Sequence, residues 1–241
     1  MSRPFHVLVP GVAPRLQAWE DIQSRLHQET TVKPRATVTL SRSFGCEGFP
    51  IAERVKLALE QASGEPWNIY DKTLLEAVEK EEGVSARVMQ NLGLTASRFE
   101  RLGLAPKEYY EQVRGFDAMA RHIVSIAGGG NAIIVGRGGA VLCQAMKNCF
   151  HFRVDAPFDW RVDSIAKRLQ MPVRADAEEF VRANSQRRDE FVKSMLKADP
   201  TAPMLYDAVF NNARHGVDEI SAAIIAYVQA GWSFADAAPT P

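Results

Sequence analysis

Short apolar runs alternate with longer amphipathic stretches along most of the chain. Each run has four or five residues, with the β-branched and aromatic content typical of strands. The third run is apolar throughout, as expected for a parallel strand that is covered on both faces. The five predicted strands are Ala36–Leu40, Trp67–Tyr70, Ala132–Val135, Phe150–Val154 and Tyr206–Phe210.

The stretches between these runs have helical periodicity, and Pro157 opens one of them at a first-turn position. Alternating strands and helices predict an α/β fold with a five-stranded parallel sheet flanked by helices. Such sheets bind ligands at the carboxyl ends of their strands, so the loops after strands one, three and four should carry function. The other helices are expected at about Phe49–Ala62, Asp71–Glu82, Ser85–Arg101, Lys107–Ala127, Glu178–Lys197 and Val217–Gln229.

The two ends of the chain differ from the alternating part. Residues 1–34 read as an appendage with one short helix, and Phe5, Val7 and Trp19 would pack on their own domain, on a partner, or on a second subunit as a homodimer. Residues 232–241 are small or proline, which predicts a disordered tail. The α/β domain is therefore expected over residues 35–231, with a helical lid at about 172–200.

Charge and cysteine content exclude several classes of protein. Lysine plus arginine equals aspartate plus glutamate at 29 each, so no overall basic field attracts nucleic acid. No apolar run approaches the roughly 18 residues of a membrane span, and no signal peptide is recognised, so we expect a cytoplasmic protein. Cys46, Cys143 and Cys149 are scattered, which favours reduced thiols over disulfides or a cysteine metal site.

The loop Ser41–Pro50 joins the first strand to a helix and contains two glycines. Glycines let backbone N–H groups approach an anion, and a helix N-terminus adds partial positive charge, so a phosphate would fit there. A strand–helix turn without any ligand explains the same residues equally well. Both interpretations stay open on the residues alone.

The loop after the third strand reads Gly136–Gly139 and holds Arg137 between glycines. An arginine at a carboxyl strand end suits bidentate capture of a phosphate or a base edge. A salt bridge at a tight turn is the simpler alternative. Val141 stands where a dinucleotide fingerprint would have its last glycine, so that fingerprint is excluded.

A charged stretch follows the fourth strand and is rich in arginine. Interleaved acidic residues are typical of a solvated helical face. The same arginines could instead fold over a triphosphate and exclude water, as lids do. The basic residues are Arg161, Lys167, Arg168, Arg174, Arg182, Arg187 and Arg188.

Five segments, in order, resemble the cytidylate kinase-like family of P-loop nucleoside-monophosphate kinases. The likeness covers roughly residues 36–230 and includes the family's strand followed by Ser-Arg, an aromatic residue and glycines before a helix. The segments are Val38–Ala52, Tyr70–Lys72, Ile134–Gly139, Val154–Arg161 and Tyr206–Asn212.

This resemblance implies transfer of a phosphoryl group from ATP to a nucleoside monophosphate such as CMP, with Mg²⁺. Catalysis in such enzymes is positioning plus charge neutralisation. It also implies roles for particular residues. These are Arg42, Gly45, Cys46 and Gly48 at the phosphates, Asp71 and Arg137 at the acceptor, Arg137, Arg161, Arg187 and Arg188 in catalysis, and Arg168 and Asp189 in the lid.

The phosphate loop departs from the family's chemistry. A P-loop needs a lysine and then a hydroxyl after its last glycine, whereas Phe49 and Pro50 follow Gly48, and Glu47 adds a carboxylate. Arg42 would have to supply the missing cation. Three interpretations therefore stay open. The chain is a divergent kinase, an inactive pseudokinase that binds a nucleotide or a partner, or a scaffold built on a kinase fold.

Overall fold

The computed structural model describes residues 35–71 and 107–232. The appendage at 1–34, with its predicted subunit contact, and the predicted tail beyond Trp232 lie outside this part of the chain. So do the helix expected at Ser85–Arg101 and all but the first residue of the helix expected at Asp71–Glu82.

Five parallel strands form one sheet, as predicted, in the order β2-β3-β1-β4-β5. β1 is central, and its Leu40 pairs with Val135 of β3 on one side and with Phe152 of β4 on the other. The chain therefore changes winding direction beside β1, which is where parallel sheets open a ligand crevice. The strands are β1 Thr37–Arg42, β2 Asn68–Tyr70, β3 Ala132–Val135, β4 Cys149–Asp155 and β5 Ala208–Asn211.

Six α-helices lie between or after the described strands, and four of them begin or end within a few residues of the predicted bounds. α3 is a single turn that the sequence did not signal. The helices are α1 Gly48–Ser63, α2 Lys107–Gly129, α3 Gly139–Leu142, α4 Phe158–Leu169, α5 Arg174–Met195 and α6 Val217–Gly231.

Most predicted bounds are shifted by one or two residues, and three differences have an evident local feature beside them. α5 starts four residues before Glu178, because Arg174 forms ion pairs with Asp159 and Asp163 of α4 and so joins the two helices. β5 starts later than expected, because a 3₁₀ turn over Pro203–Leu205 precedes it. Pro157 occupies the N-cap of α4 rather than its first turn.

Apolar side chains fill both faces of the sheet. Val38, Leu40 and Phe152 pack under α1 and α6 on one face. On the other face Ile134 packs under α2, together with Phe191 of α5. Burial on both faces explains why these strands are apolar at consecutive positions. None of the helices within the described residues is long and apolar enough to span a membrane.

Candidate functional site

The loop after β1, residues 43–47, is held at the carboxyl end of the sheet by backbone hydrogen bonds. The Ser43 N–H donates to the Val154 carbonyl at 3.0 Å, and the Cys46 N–H donates to the Ser43 carbonyl at 3.2 Å. The Glu47 N–H donates to Asn212 Oδ1 at 2.8 Å. Two amides of the predicted phosphate loop, those of Cys46 and Glu47, therefore already have partners within the protein.

Side chains of α4 fix the carbonyl groups of this loop. Arg161 Nη1 donates to the Phe44 carbonyl at 3.1 Å, and Ser164 Oγ donates to the Gly45 carbonyl at 3.0 Å. Arg168 Nη2 also donates to the Gly45 carbonyl. The family resemblance placed Arg161 in catalysis and Arg168 in the lid; in the structure both donate to carbonyl groups of this loop, and Arg161 also donates to Ser185 Oγ of α5 at 3.1 Å.

Arg42 extends from the end of β1 across the head of α1. A Cβ placed on Gly48 would lie 3.0 Å from Arg42 Cγ, and one placed on Gly136 would overlap Arg42 Nη1. Burial lowers the pKa of Arg42 to about 10, although the Asp71 carboxylate opposes this shift and Arg137 adds to it. The Arg42 guanidinium thus occupies the space between the ends of β1 and β3, beside the buried Asp71.

Two further arginines complete a group that we call the arginine cluster: Arg42, Arg137 and Arg188. Arg188 Nη1 donates to the Arg42 carbonyl at 3.3 Å, and its guanidinium lies 4.9 Å from the centre of the Phe44 ring. Burial lowers the pKa of Arg188 well below its ordinary value, and the charges of Arg42 and Arg137 lower it further. Arg137 lies over the Phe191 ring at 5.4 Å. The cluster is therefore a concentrated, partly dehydrated positive charge.

Arg187, predicted in catalysis, and Asp189, predicted in the lid, lie at the surface of α5. Both residues are exposed, and the Asp189 carboxylate lies close enough to Arg188 to oppose the lowering of its pKa. Asp189 also lines a cleft of about 430 Å³ between α4 and α5. Arg188 is thus the member of the adjacent arginine pair that contacts the loop after β1.

The Glu47 carboxylate turns toward the end of β5. Its Oε2 accepts from Asn212 Nδ2 at 3.3 Å, and Asn212 Nδ2 also donates to the His215 carbonyl at 3.2 Å. The Asn212 N–H in turn donates to the Asp155 carbonyl at 2.8 Å. Asn212 therefore joins the loop after β1 to the ends of β4 and β5.

Arg153 is a site residue that the sequence analysis did not single out. It is buried, with 8% of its surface exposed. Its guanidinium donates to Ser43 Oγ and to Asp155 Oδ2, both at 3.1 Å. Burial alone would raise the pKa of Asp155, but the Ser43 hydroxyl, the Ala156 N–H and Arg153 outweigh it and lower the pKa. The signal in the sequence was a charged residue within the run Phe150–Val154, whose other residues are apolar except for His151.

The described residues do not form a ready site for Mg²⁺. Within 35–71 and 107–232, no three His, Cys, Asp or Glu side chains are grouped so as to hold a metal ion. Two carboxylates near the loop face cations, Asp71 beside Arg42 and Asp155 beside Arg153, and the Glu47 carboxylate within the loop accepts from Asn212. Mg²⁺ in kinases is bound by one or two carboxylates plus substrate phosphates. This donor set does not fit an ion held by the protein alone.

Comparisons with known proteins show which sequences and structures this chain resembles. The sequence model of the cytidylate kinase-like family matches residues 37–214. An uncharacterized protein from Eubacterium ventriosum has a similar structure, with a TM-score of 0.56 at 16% identity, over 81% of this chain and 99% of that one. Shikimate kinase from Acinetobacter baumannii, in complex with shikimate, aligns with a TM-score of 0.43 at 12% identity, over 83% of this chain and 96% of that one. No curated protein matches the chain.

Proposed function

Because the chain belongs to the cytidylate kinase-like family, we propose that it binds a nucleotide at the arginine cluster and transfers a phosphoryl group from ATP to a nucleoside monophosphate such as CMP. The family match supports the reaction class. The position of the cluster supports the proposed binding site, since the cluster lies where the parallel sheet changes winding direction.

The arginine cluster is the observation that carries this proposal. Three guanidinium groups share a partly buried space, and the net effect of burial and mutual repulsion lowers the pKa of Arg42 and of Arg188, although Asp71 and Asp189 oppose this. Buried charge is costly unless it is paired, so the cluster favours an anion with several oxygens. The N-terminus of α1, beside Arg42, adds partial positive charge at the same place.

Each member of the cluster would act on charge and position. Arg42 would replace the absent P-loop lysine, because its guanidinium reaches across Gly48 to Gly136. Arg137, at the end of β3 near Asp71, would bind the acceptor phosphate in a bidentate manner. Arg188, from α5, would neutralise the charge that develops on the transferred group. Mg²⁺ would come to the site with the phosphates of the nucleotide, and no step proposed here depends on it.

A thermal-shift screen against ATP, CMP and other nucleoside monophosphates, with and without Mg²⁺, tests the site. A specific ligand stabilises the folded state by about 2.7 kcal/mol at one hundred times its Kd. We expect a shift for the native chain that Arg42→Met abolishes. Arg54→Met is the matched control, because Arg54 pairs with Asp218 on the surface and should retain the shift. If no nucleotide shifts the native chain, the proposal is wrong.

An inactive nucleotide-binding pseudokinase is the second candidate. It is favoured by the loop itself, where the Cys46 and Glu47 amides already have partners and neither a lysine nor a hydroxyl residue follows Gly48 directly. Calorimetry paired with a CDP-formation assay separates the two functions. Binding with turnover supports the kinase, and binding without turnover for any acceptor supports the pseudokinase.

A further inference from the structure

The buried Arg153 side chain joins two segments that are far apart along the chain. Its Nη2 donates to Ser43 Oγ, in the loop after β1, at 3.1 Å. Its Nη1 donates at 2.8 Å to the carbonyl of Pro200, which lies in residues 196–206, the segment after α5. Nη2 also donates to Asp155 Oδ2 at 3.1 Å, which ties the guanidinium to the end of β4. Arg153 therefore bridges the loop after β1 and the segment after α5.

The segment after α5 has a second contact at the carboxyl end of the sheet. A Cβ placed on Gly138 would overlap Leu196 Cδ1, so Leu196 packs directly against the loop after β3. Tyr206 reinforces the first contact, because its hydroxyl donates to the Pro200 carbonyl at 2.8 Å and its ring centre lies 5.8 Å from the Arg153 guanidinium. The segment thus touches the loop after β3 directly and reaches the loop after β1 through Arg153.

Ser43 lies between Arg153 and the arginine cluster. It directly follows Arg42, whose carbonyl accepts from Arg188 Nη1 at 3.3 Å. The Ser43 carbonyl accepts from the Cys46 N–H at 3.2 Å, and this bond closes the turn of the loop. A displacement of Ser43 would therefore move both the Arg42 backbone and the turn of the loop.

Arg153 is suited to hold these segments in a fixed geometry. It is buried, and a buried charge is costly unless it is paired and hydrogen-bonded, as this one is with Asp155. A guanidinium presents its donors in a rigid planar fork, and hydrogen bonds from a charged donor are stronger than neutral ones. Loss of this guanidinium would release both segments while the three cations of the arginine cluster stay in the chain.

We propose that Arg153 is a positioning residue, which holds the loop after β1 and the segment after α5 in one fixed arrangement. α5 carries Arg188, and the loop begins beside Arg42, so this arrangement keeps the two cations aligned on the same phosphates. The consequence for nucleotide binding rests on the proposed function, whereas the coupling of the two segments does not.

Hydrogen exchange of backbone amides, measured by mass spectrometry, tests the coupling in Arg153→Met. We expect residues 43–47 and 196–206 to exchange about tenfold faster than in the native chain, since a hydrogen bond from a charged group stabilises by about that factor. Peptides from α1 and β3 report any general loss of stability and should change less. Arg35→Met is the matched control, because Arg35 pairs with Glu65 at 2.8 Å near the amino end of the sheet and should leave both segments at their native rates.

Ser43→Ala separates the two contacts of Arg153 and still decides the question if Arg153→Met does not fold. It removes one acceptor and keeps the bond from Arg153 to Pro200, so only residues 43–47 should exchange faster. An unchanged exchange rate of those residues in Ser43→Ala overturns the proposal. So does an acceleration of α1 and β3 in Arg153→Met that equals the acceleration of the two segments.

A nucleotide titration distinguishes failure of this inference from failure of the proposed function. If the native chain binds ATP or CMP, Arg153→Met should raise the Kd about tenfold, because a smaller fraction of the chain is competent to bind. An unchanged Kd would overturn the positioning role in binding. If the native chain binds neither nucleotide, the proposed function fails, and hydrogen exchange alone decides whether Arg153 couples the two segments.

Discussion

At the scale of single residues, the main feature of the site is the arginine cluster, whose three positive charges lie close together although they repel one another. Arg42 and Arg188 both have lowered pKa values, first because they are buried and then because each lies near other guanidinium groups. Phe44 and Phe191 supply ring faces for two of these cations, which offsets part of the cost. A bound polyanion would remove the remaining repulsion.

Arg137→Ala tests the arginine that would bind the acceptor phosphate. Removing a donor that stabilises transition-state charge typically lowers kcat by about 10²–10³-fold, and we expect a loss of that order in CDP formation. The rate of Arg137→Lys should lie between those of the native chain and of Arg137→Ala, because lysine retains the charge but loses the bidentate fork. The left-handed φ of 54° at Arg137 is common to both variants, so strain does not explain their difference. A rate unchanged by alanine would remove Arg137 from the mechanism.

Asp155 gives a pH-dependent prediction. Its pKa in the folded chain is lowered below 3.8, so its stabilising contribution is present above that value and is lost as the pH falls through the folded pKa. Asp155→Asn should therefore unfold in less urea than the native chain at about pH 7, and the difference should shrink at about pH 3. An equal difference at both pH values would show that the carboxylate charge is not the cause.

At the scale of elements, the loop after β1 is held from three sides. α4 supplies Arg161 and Arg168 to its carbonyl groups, and α5 supplies Arg188 to the carbonyl of the residue before it. Asn212, beyond β5, holds the Glu47 amide. Hydrogen bonds from charged groups contribute about 1.5–3 kcal/mol each, so the loop conformation depends on these helices being docked.

Gly45→Ala tests how tightly α4 packs on this loop. Gly45 has a φ of 104°, and a Cβ there would lie 2.7 Å from Arg161 Cβ and 2.9 Å from the Arg161 carbonyl oxygen. We expect urea denaturation to show a loss of about 1–3 kcal/mol or more.

Gly64→Ala is the control for that experiment. Gly64 also has a left-handed φ, of 69°, but nothing lies within 4 Å of a Cβ placed there. Its cost should be about 1 kcal/mol, from backbone conformation alone. Equal losses for the two variants would mean that contact with Arg161 contributes nothing.

At the scale of the whole molecule, stability comes from a sheet that is covered on both faces. Phe152 in β4 is fully buried, and its ring lies 5.5 Å from that of Tyr227 and 6.2 Å from that of Phe210. These contacts join β4 to β5 and to α6. The sheet thereby acts as a rigid base for the loops at its carboxyl ends.

Phe152→Ala should destabilise the chain by about 3–5 kcal/mol, because it removes apolar burial and leaves a cavity. Val209→Ala on the edge strand β5 is the control, since Val209 is 51% exposed and should change stability by less than about 0.5 kcal/mol. Chemical denaturation of both variants measures the difference. Similar losses would contradict a core centred on β4.

Much of the architecture could be predicted because strand and helix patterns are local. Ala132–Val135 matches β3 residue for residue, and the helix expected at Lys107–Ala127 is α2 with two more residues. The errors arose where distant residues decide a boundary, as at Arg174, whose partners Asp159 and Asp163 belong to another helix. The candidate loops were identified for the same local reason, since glycines and arginines follow β1 and β3 directly.

The amino-acid sequence by itself determined the strands, most helices and the loops that would meet at one edge of the sheet. Only the tertiary structure decided which side chains meet there: Arg42 with Gly136, Glu47 with Asn212, and Arg153 with Ser43. The physical reason is the strand order. It places β1 between β3 and β4, although β1 is far from both of them along the chain. Periodicity records which face of an element is buried, whereas contacts depend on which elements become neighbours.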